Sequence, residues 1–563
     1  MLRTLARVVL GTALLVHAAE AQVSSPQSEA LRAAADSFMS LTRANGDGRR
    51  WPDLSDSSRQ NANARFESID KHLHAIEPAR LSRPEQIVVE NLIETIAARR
   101  AQAICRYELW AGSNQFSGWH IQSSNIARTL PVNTEEERAA ALRLFGQLPA
   151  AIAAEQRMLR RGLDSGYTMA APVARSLVEQ VQGLLAGDVT QSKLFAPAQR
   201  TTDSHFRDAW RALLADSVFP AARAYAAFLA NDYVPHARAG GSLSTLPSGR
   251  ECYASSLRAQ ASTPVDLDLL MKEAREDATR RIADLAPLTK RLTGQTDVAE
   301  AMRALRAGEG FTFPSRDSIL PAYRAMTDKA ATLFGRVVGG FSPEAVSVVP
   351  YPEFQERTGL PPAYSAASAD GSTPAQFYVN LGRTERMSVA DATAHEAYPG
   401  HHLQRIASTR APLVHPVMST LFFGGFVEGW GIYSEVLGDE MGLYASDLDR
   451  VGYLIHMVDV ALACYLDIGA HARGWTREML IDTMMVVGGR PRANAEAYAD
   501  RHAATPGQLA TYFIGFNEIM RARAEAKARL GARFDERRFN QAIISDGTTS
   551  LLSMRRRMAE WSP

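Results

Sequence analysis

The chain has 563 residues, 46% of them hydrophobic and 22% charged, and its formal net charge is +1. This composition is typical of a soluble globular protein and excludes a mainly disordered chain, while the length allows either two packed lobes or one large helical body. The balanced charge excludes the basic footprint of a nucleic-acid-binding protein, so we expect no nucleic-acid partner.

The first 21 residues have the pattern of a cleavable signal peptide. Arg3 and Arg7 form a basic start, an apolar run follows at 8–16, and Ala19-Glu20-Ala21 carries small residues at the two positions that a signal peptidase reads. The run is too short to span a bilayer as a stable helix, and no cysteine follows it to carry a lipid anchor. We therefore expect cleavage after Ala21 and export to the periplasm or the medium, without stable membrane insertion.

The N-terminal half of the mature chain is predicted to be a succession of helices, because apolar residues recur at three- and four-residue spacing and the helix formers Ala and Arg are abundant. The predicted helices cover 28–43, 84–103, 134–162, 172–185, 204–229 and 265–292. A Gly-, Ser- and Pro-rich stretch at 240–253 is predicted to be a hinge. It divides an N-terminal helical lobe at 22–245 from a C-terminal region at 246–563.

Strand-like segments are few and lie shortly before residue 388. Residues 346–350 are β-branched and end in proline, and residues 376–381 follow the turn signal Asp370-Gly371. Helical periodicity then resumes and continues to the end of the chain. The sequence therefore predicts a mostly α fold with one small β element.

The three cysteines are Cys105, Cys252 and Cys464, which are far apart and form no Cys-x-x-Cys pair. This spacing excludes a disulfide framework and a thiolate zinc site. The simplest interpretation is three buried, inert thiols, and one bridge between two of them stays open.

The residues best suited to chemistry lie in one segment, His395-Glu396-Ala397-Tyr398-Pro399-Gly400-His401-His402. A zinc hydrolase needs about three protein ligands, one open position for water and a carboxylate that takes a proton from that water. The common helical motif is His-Glu-x-x-His, with the two histidines four residues apart. Here Pro399 occupies the fifth position, and the next histidines follow at +6 and +7.

On a straight helix neither of these later histidines could share an ion with His395. Pro399 cannot donate to the carbonyl of His395, however, and Gly400 accepts almost any backbone angles. The pair therefore predicts a local bulge. If two residues are looped out, His401 takes the place of the motif's second histidine. We expect His395 and His401 to be ligands, with His402 as the alternative.

A third ligand is expected from a neighbouring antiparallel helix. Glu428 follows His401 by 27 residues and lies among aromatic residues, which makes a merely solvated glutamate improbable. Glu435 lies two turns further along the same face, where it can accept a proton from the second ring nitrogen of a ligand histidine. Asp391, one turn before His395, is another candidate for such an outer contact.

These segments resemble a known family. The histidine-rich motif, the later Val-Glu-Gly-Trp-Gly-Ile-Tyr-Ser-Glu at 427–435, and Pro506-Gly507-Gln508 with Tyr512 and Gly515 resemble the bacterial "domain of unknown function 885" family. That family is placed among the zincin-type metallopeptidases. The resemblance spans most of the mature chain and is strongest at 352–552. The chain is also distantly similar to thimet oligopeptidase and neurolysin, whose zinc motif ends in Gly-His and whose third ligand begins a Phe-Val-Glu segment.

The resemblance implies one zinc ion per chain, with His395, His401 and Glu428 as ligands and Glu396 as the general base. It also implies a mostly helical body with a zincin-like metallopeptidase catalytic region at 246–563 and a deep cleft between this region and the N-terminal lobe. The two-residue insertion before His401 departs from the oligopeptidase pattern, so the assignment of His401 over His402 depends on the bulge.

Hydrolysis of an amide also needs a donor to the developing oxyanion. Tyr512 occupies the position where oligopeptidase-like enzymes place such a tyrosine. His471 is the rival, because Asp467, four residues before it on one helical face, could orient its ring.

Two groups of residues are candidates for binding the substrate. Tyr378 and Asn380 belong to the segment 378–381, which is predicted either as an edge strand that pairs with an extended peptide or as plain sheet. Arg521 and Arg523 are candidates for holding a substrate carboxylate.

The predicted function is a zinc-dependent peptidase that acts on short peptides. An amidase or isopeptidase acting on modified or cyclic peptides is the alternative enzyme. A catalytically inactive zincin-fold binding module is the alternative of another class, and the presence of ligands, base and oxyanion donor argues against it.

Overall fold

The computed structural model describes residues 25–43, 51–114, 117–352, 356, 360–367 and 373–563. The predicted signal peptide at 1–21 lies outside these residues. The described chain is mostly helical and contains one small three-stranded sheet, which confirms the predicted fold class at this level.

The helices of the first half follow one another closely. They are α1 (Pro26–Arg43), α2 (Asp56–His74), α3 (Arg83–Ala101), α4 (Tyr107–Trp110), α5 (Trp119–Thr129), α6 (Glu135–Gly146), α7 (Leu148–Asp164), α8 (Ala171–Leu184), α9 (Ala196–Gln199), α10 (Ser204–Leu213), α11 (Phe219–Phe228), α12 (Gly249–Ala261), α13 (Leu267–Thr293), α14 (Val298–Ala307) and α15 (Ile319–Leu333).

The sheet precedes the second series of helices. Its strands are β1 (Ser347–Pro350), β2 (Ala363–Ser365) and β3 (Gln376–Val379). The helices that follow are α16 (Ser388–Glu396), α17 (His401–Arg410), α18 (Gly424–Glu440), α19 (Asp447–Arg473), α20 (Arg477–Val486), α21 (Arg492–Ala504), α22 (Ala510–Leu530), α23 (Glu536–Ile544) and α24 (Leu551–Glu560).

Two predicted helices are interrupted, and proline explains both interruptions. The helix predicted at 134–162 is two helices, because Pro149 lacks an N–H and disfavours helical angles in the residue before it. The helix predicted at 204–229 passes through a π-helical segment, Leu214–Val218, immediately before Pro220. A π-helical turn accommodates the missing donor without ending the helix.

The buried apolar residues form several clusters. One cluster joins Trp51 to residues within 119–233, around the fully buried Trp210 and Tyr225. Helices α1, α2 and α3 share a second cluster. The largest extends from Cys105 to Met558 and contains the helices that carry the histidine motif. The motif is therefore held by the main core of the protein.

The segment predicted to be a hinge is closely packed. Leu243 and Leu246 are buried in the main core, and the N–H of Leu243 donates to Nδ1 of His471 at 3.1 Å. A Cβ atom at Gly249 would lie 1.7 Å from the carbonyl oxygen of Leu243, so the turn before α12 has no room for a side chain. The division into lobes at residue 245 stays a prediction.

Two helical stretches are long and apolar enough to cross a membrane by length and composition alone. One is Ser204–His236 and the other is α19. The sequence predicts no stable membrane insertion. In α19, 83% of the apolar segment is buried inside the protein, so this helix is a core helix of the fold. The corresponding share for Ser204–His236 is 44%.

The sheet has the strand order β1-β3-β2. β1 pairs with β3 in parallel, with Ser347 opposite Gln376, and β2 pairs with β3 antiparallel, with Tyr364 opposite Phe377. β3 is therefore the central strand. Of the two alternatives for the segment 378–381, the edge strand is wrong and plain sheet is correct for the part within β3, because both sides of β3 are paired. The edge strand nearest the histidine motif in sequence is β2.

A disulfide bond joins Cys105 to Cys252, and Cys464 is a buried free thiol. The interpretation of three free thiols is thus wrong for two of them. The bond connects the turn after α3 to α12, two segments separated by 147 residues. Spacing alone could not reveal the pair, since only the fold brings these two helices together.

Candidate metal centre

The histidine motif spans a break between two helices. α16 ends at Glu396, residues 397–400 are not helical, and α17 begins at His401. A Cβ atom on Gly400 would lie 1.8 Å from the carbonyl oxygen of His395, so only glycine fits this close return of the chain. The predicted bulge is a complete interruption, and it brings His401 back beside His395.

His395, His401 and Glu428 converge. Their candidate ligand atoms all lie within 4.8 Å of one another. Nε2 of His395 is 3.7 Å and Nε2 of His401 is 3.5 Å from Oε2 of Glu428, and the two imidazole rings are perpendicular. The side chains are 9%, 13% and 17% exposed, so the group lies in a recess that stays open to solvent.

Glycines allow α18 to approach the motif. A Cβ atom on Gly431 would lie 2.5 Å from Cε1 of His395, so the imidazole ring packs directly on the helix backbone. On the same helix, Nε1 of Trp430 donates to the carbonyl oxygen of Pro399 at 3.0 Å. These two contacts hold the helix break against the turn of α18 that carries Glu428.

Glu435 holds the second nitrogen of His395. Its Oε1 accepts from Nδ1 of His395 at 2.9 Å, and the carboxylate is fully buried. With the proton on Nδ1, the lone pair of Nε2 points into the three-residue group, which is the tautomer that a metal ligand needs.

The carboxylate of Glu435 also reaches His456 on α19. Nδ1 of His456 is 2.9 Å from each oxygen of Glu435 and 3.9 Å from Oδ2 of Asp391. Burial raises the pKa of Asp391 to about 6, and its Oδ1 has no hydrogen-bond partner among the described residues. The outer contact predicted for Asp391 therefore runs through His456, which sequence reasoning missed.

Glu396 points towards the sheet. Its Oε2 accepts from the backbone N–H of Tyr364 in β2 at 2.8 Å. Burial raises the pKa of Glu396, and the charges of His395 and His401 partly oppose this rise. The sequence did not indicate β2, because three residues are too few for a visible alternation.

The charges of the group complement one another. Burial raises the pKa of Glu428, but hydrogen bonds with His395 and His401 outweigh it and hold the pKa well below its ordinary value. Burial alone lowers the pKa of His395, but the hydrogen bonds with Glu428 and Glu435 outweigh it and raise this pKa well above its ordinary value. Anionic oxygens that attract positive charge so strongly are suited to a cation.

His402 is directed away from the group. Its Nδ1 accepts from the hydroxyl of Tyr364 at 3.2 Å, and its Nε2 donates to the carbonyl oxygen of Glu344 at 3.1 Å. With both nitrogens occupied, His402 is bound to the loop before β1. The structure brings His401, and not the alternative His402, to His395 and Glu428.

Tyr512 lies beside the group and His471 does not. The ring of Tyr512 stacks on that of His395 with centroids 6.4 Å apart. Burial and the charge of Glu428 raise the pKa of Tyr512, so its hydroxyl keeps its proton. His471 is fully buried, and its nitrogens are bonded to the backbone of Leu243 and His502.

The residues predicted to bind substrate have other partners. Tyr378 stacks on Tyr351, and Nδ2 of Asn380 donates to the carbonyl oxygens of Glu356 and Leu360. These contacts fix the loop around the sheet.

The two predicted carboxylate-binding arginines are ion-paired. Arg521 pairs with Glu273 and Glu518, and Arg523 pairs with Glu440 and Glu536. Neither guanidinium is brought to the histidine group.

The fold is similar to two solved structures. One is described as "The crystal structure of the putative lipoprotein from Colwellia psychrerythraea", with a TM-score of 0.83 and 20% identity over 95% of this chain and 98% of that chain. The other, "The structure of a putative lipoprotein of unknown function from Shewanella oneidensis", has a TM-score of 0.77 and 19% identity over 95% and 99%. At such identities the likeness shows the fold alone. No curated protein matches the chain.

Fold and site together define a mostly helical protein with a His-His-Glu group beside a small sheet. The family described as "Bacterial protein of unknown function (DUF885)" matches residues 39–558. The chain belongs to this family, which confirms the resemblance of the sequence to the "domain of unknown function 885" family.

Proposed function

We propose that the protein is a zinc-dependent hydrolase that cleaves peptide bonds in short peptides. One zinc ion is held by His395, His401 and Glu428, and Glu396 is the general base. The observation that carries the proposal is the convergence of the three ligand atoms within 4.8 Å, directly beside the Glu396 carboxylate.

The residues present fit a zinc ion. Two imidazole nitrogens and one carboxylate oxygen are a donor set of catalytic zinc sites, where a fourth position stays open. The bond from His395 to Glu435 supports this set, because it orients the ring and fixes its tautomer. A bound zinc ion supplies Lewis acidity towards a water molecule and a peptide carbonyl.

The side chains divide the reaction between them. Oε2 of Glu396 is occupied by the N–H of Tyr364, which leaves Oε1 to take a proton from the water that attacks the carbonyl carbon. The hydroxyl of Tyr512 donates to the carbonyl oxygen as it gains negative charge. When the carbon–nitrogen bond breaks, Glu396 returns its proton to the departing amine.

The edge strand β2 is suited to bind an extended peptide. It pairs with β3 on one side, and the N–H of its central residue, Tyr364, contacts the general base. Main-chain pairing with an edge strand recognises peptides of many sequences. This role replaces the one predicted for Tyr378 and Asn380.

Export of the protein is part of the proposal. The signal-peptide pattern of the first 21 residues is one support, and the Cys105–Cys252 disulfide is another, since such bonds persist in oxidising compartments. The two similar structures are described as lipoproteins, which also points to export.

The metal assignment is tested by zinc analysis of matched histidine variants. We expect about one zinc per chain in the wild-type protein, most of which is lost in His395→Ala, His401→Ala and Glu428→Ala. His402→Ala is the control, because the bonds of His402 to Tyr364 and Glu344 keep it out of the group. Equal zinc content in His401→Ala and His402→Ala would refute the ligand set.

The catalytic assignment is tested by Glu396→Gln. Glutamine keeps the shape of the side chain but cannot take a proton, so zinc content should stay normal while turnover of short peptides falls by about a hundredfold or more. Near-normal turnover in the zinc-loaded variant would place the base elsewhere. No peptide cleavage by the zinc-loaded wild-type protein would overturn the proposed function.

A further inference from the structure

Arg501 lies beside the candidate metal centre and was not singled out by the sequence. It occupies the last turn of α21 and is half-buried. Its Nη2 donates to Oε1 of Gln508 at 2.9 Å, and Nε2 of the same glutamine donates to the Tyr512 hydroxyl at 3.4 Å. Arg501 also interacts with Tyr512 directly, and the charge of Glu428 reaches it. The guanidinium therefore faces the same hydroxyl that faces the metal-binding group.

The charge of Arg501 is not balanced by an ion pair among the described residues. Two other buried arginines are balanced, because Arg306 and Arg490 share Asp459 at 3.0 and 2.7 Å. The Arg501 side chain donates instead to the neutral Gln508. A guanidinium withdrawn from water without a carboxylate partner is costly, and its planar fork of N–H groups matches a carboxylate.

The two arginines that the sequence suggested for a substrate carboxylate, Arg521 and Arg523, are each held by two glutamates. A substrate carboxylate would have to displace these partners. Among the described residues, no glutamate or aspartate is ion-paired with Arg501. Unlike Arg521 and Arg523, Arg501 lies next to Tyr512. The position therefore favours Arg501 as the group that an anionic part of the substrate meets.

We propose that Arg501 binds a carboxylate of the substrate, so that the enzyme cleaves peptides close to a free C-terminus. This inference rests on the proposed peptidase function. Tyr512 contacts both His395 and Arg501, so the bound carboxylate lies only a residue or two beyond the scissile bond, each residue spanning at most about 3.6 Å. A C-terminal carboxylate and an acidic side chain at that position share the same chemistry, and the experiment separates them.

The test uses zinc-loaded enzyme and three peptides that differ only at the C-terminus and at one residue. The first has a free C-terminus, the second a C-terminal amide, and the third a C-terminal amide with glutamate next to the scissile bond. We expect the wild-type protein to prefer the free acid over the amide by about tenfold or more in kcat/KM, mainly through KM. A preference for the third peptide over the second would instead assign the site to an acidic side chain. Either preference supports a carboxylate site.

The variants are Arg501→Gln and Arg501→Lys, with Arg492→Gln as the matched control. Arg492 begins the same helix and is exposed in ion pairs with Glu496 and Glu478. Arg501→Gln should lose the preference and Arg501→Lys should keep part of it, because lysine keeps the charge without the fork. Arg492→Gln should behave as the wild-type protein. Zinc content and melting temperature report whether each variant is folded. If Arg501→Gln is unfolded, the inference is judged by whether Arg501→Lys has a weaker preference for the free acid than the wild-type protein.

The outcomes separate the inference from the function on which it rests. Equal cleavage of all three peptides by the wild-type protein overturns the inference alone. A preference for the free acid that survives in Arg501→Gln also overturns the inference. An equal fall in kcat for every peptide overturns it too, because Arg501 would then act by positioning Tyr512 and not by binding the substrate. Absence of any cleavage by the wild-type protein overturns the proposed function and the inference with it.

Discussion

At the scale of single residues, the orientation of the His395 ring is set by the partners of its two nitrogens. Nδ1 is bonded to Glu435, and Nε2 faces Glu428. Glu435 in turn accepts from His456, so one buried carboxylate is shared by two imidazoles. The orientation of His395 thus depends on Glu435, which is not one of the proposed zinc ligands.

This dependence predicts the effect of Glu435→Gln. The amide has nearly the same shape but carries no charge, and its NH2 group cannot accept from either histidine. We expect zinc affinity to fall by about 10- to 100-fold, the usual effect of losing an outer partner of a ligand histidine. A zinc titration against a competing chelator measures it.

Asp439→Asn is the control, because Asp439 lies one turn further along α18 and its pair with Arg450 is on the surface. Unchanged zinc affinity in Glu435→Gln would mean that the bond to His395 does not orient the ring.

Several site residues could be predicted from the sequence because they lie in motifs. His395, Glu396 and His401 are close in sequence, and Glu428 and Glu435 share one helical face. His456 and Arg501 could not be predicted, because each belongs to no motif and is one of several polar residues on its helix, so that only its neighbours in space reveal its position at the site. Tyr364 contributes a backbone N–H, which no residue type reveals.

At the scale of elements, α18 and α22 touch through their backbones. A Cβ atom on Gly515 would lie 1.8 Å from the carbonyl oxygen of Gly425, and one on Gly429 would lie 2.4 Å from the carbonyl carbon of Gly515. Glu428 and Tyr512 lie next to this crossing in sequence. The crossing therefore sets the separation between the proposed third ligand and the proposed oxyanion donor.

Gly515→Ala should separate the two helices. We expect a loss of at least about 1–3 kcal/mol in the free energy of unfolding, the usual cost of overpacking, together with weaker zinc binding. Urea denaturation and zinc titration measure the two effects.

Gly183→Ala is the control, since Gly183 is helical and nothing lies within 4 Å of the added carbon. It should stabilise by roughly 0.5–1 kcal/mol. Equal stability of the two variants would contradict the close crossing.

The elements themselves could be predicted where periodicity was strong. Helices α1, α3, α8 and α13 lie within a few residues of their predicted positions. α2 was missed because only Phe66, Ile69 and Leu73 of its 19 residues are buried, which leaves little apolar pattern. The helix is identified instead by its N-cap, where Ser55 accepts from the N–H of Ser58.

At the scale of the whole molecule, the disulfide ties two distant parts of the chain. Cys105 follows α3, whereas Cys252 lies in α12, whose Tyr253 and Leu257 are fully buried in the main core. A link across 147 residues removes much conformational freedom from the unfolded chain.

The double variant Cys105→Ala/Cys252→Ala should therefore lose about 2–5 kcal/mol in the free energy of unfolding. Urea denaturation with and without a reductant measures this. The reductant should destabilise the wild-type protein and leave the double variant unchanged, because Cys464 is free in both. A wild-type protein that is indifferent to the reductant would contradict the bond.

The break between α16 and α17 has a consequence for how such proteins are recognised. A search that counts residues between histidines assumes an unbroken helix and passes over this chain, because Pro399 and Gly400 change the interval without changing the place to which His401 returns. What persists across such an insertion is the spatial arrangement of donors. For the proposed zinc site, the positions of the donor atoms in three dimensions are therefore a more direct guide than the number of residues between the histidines.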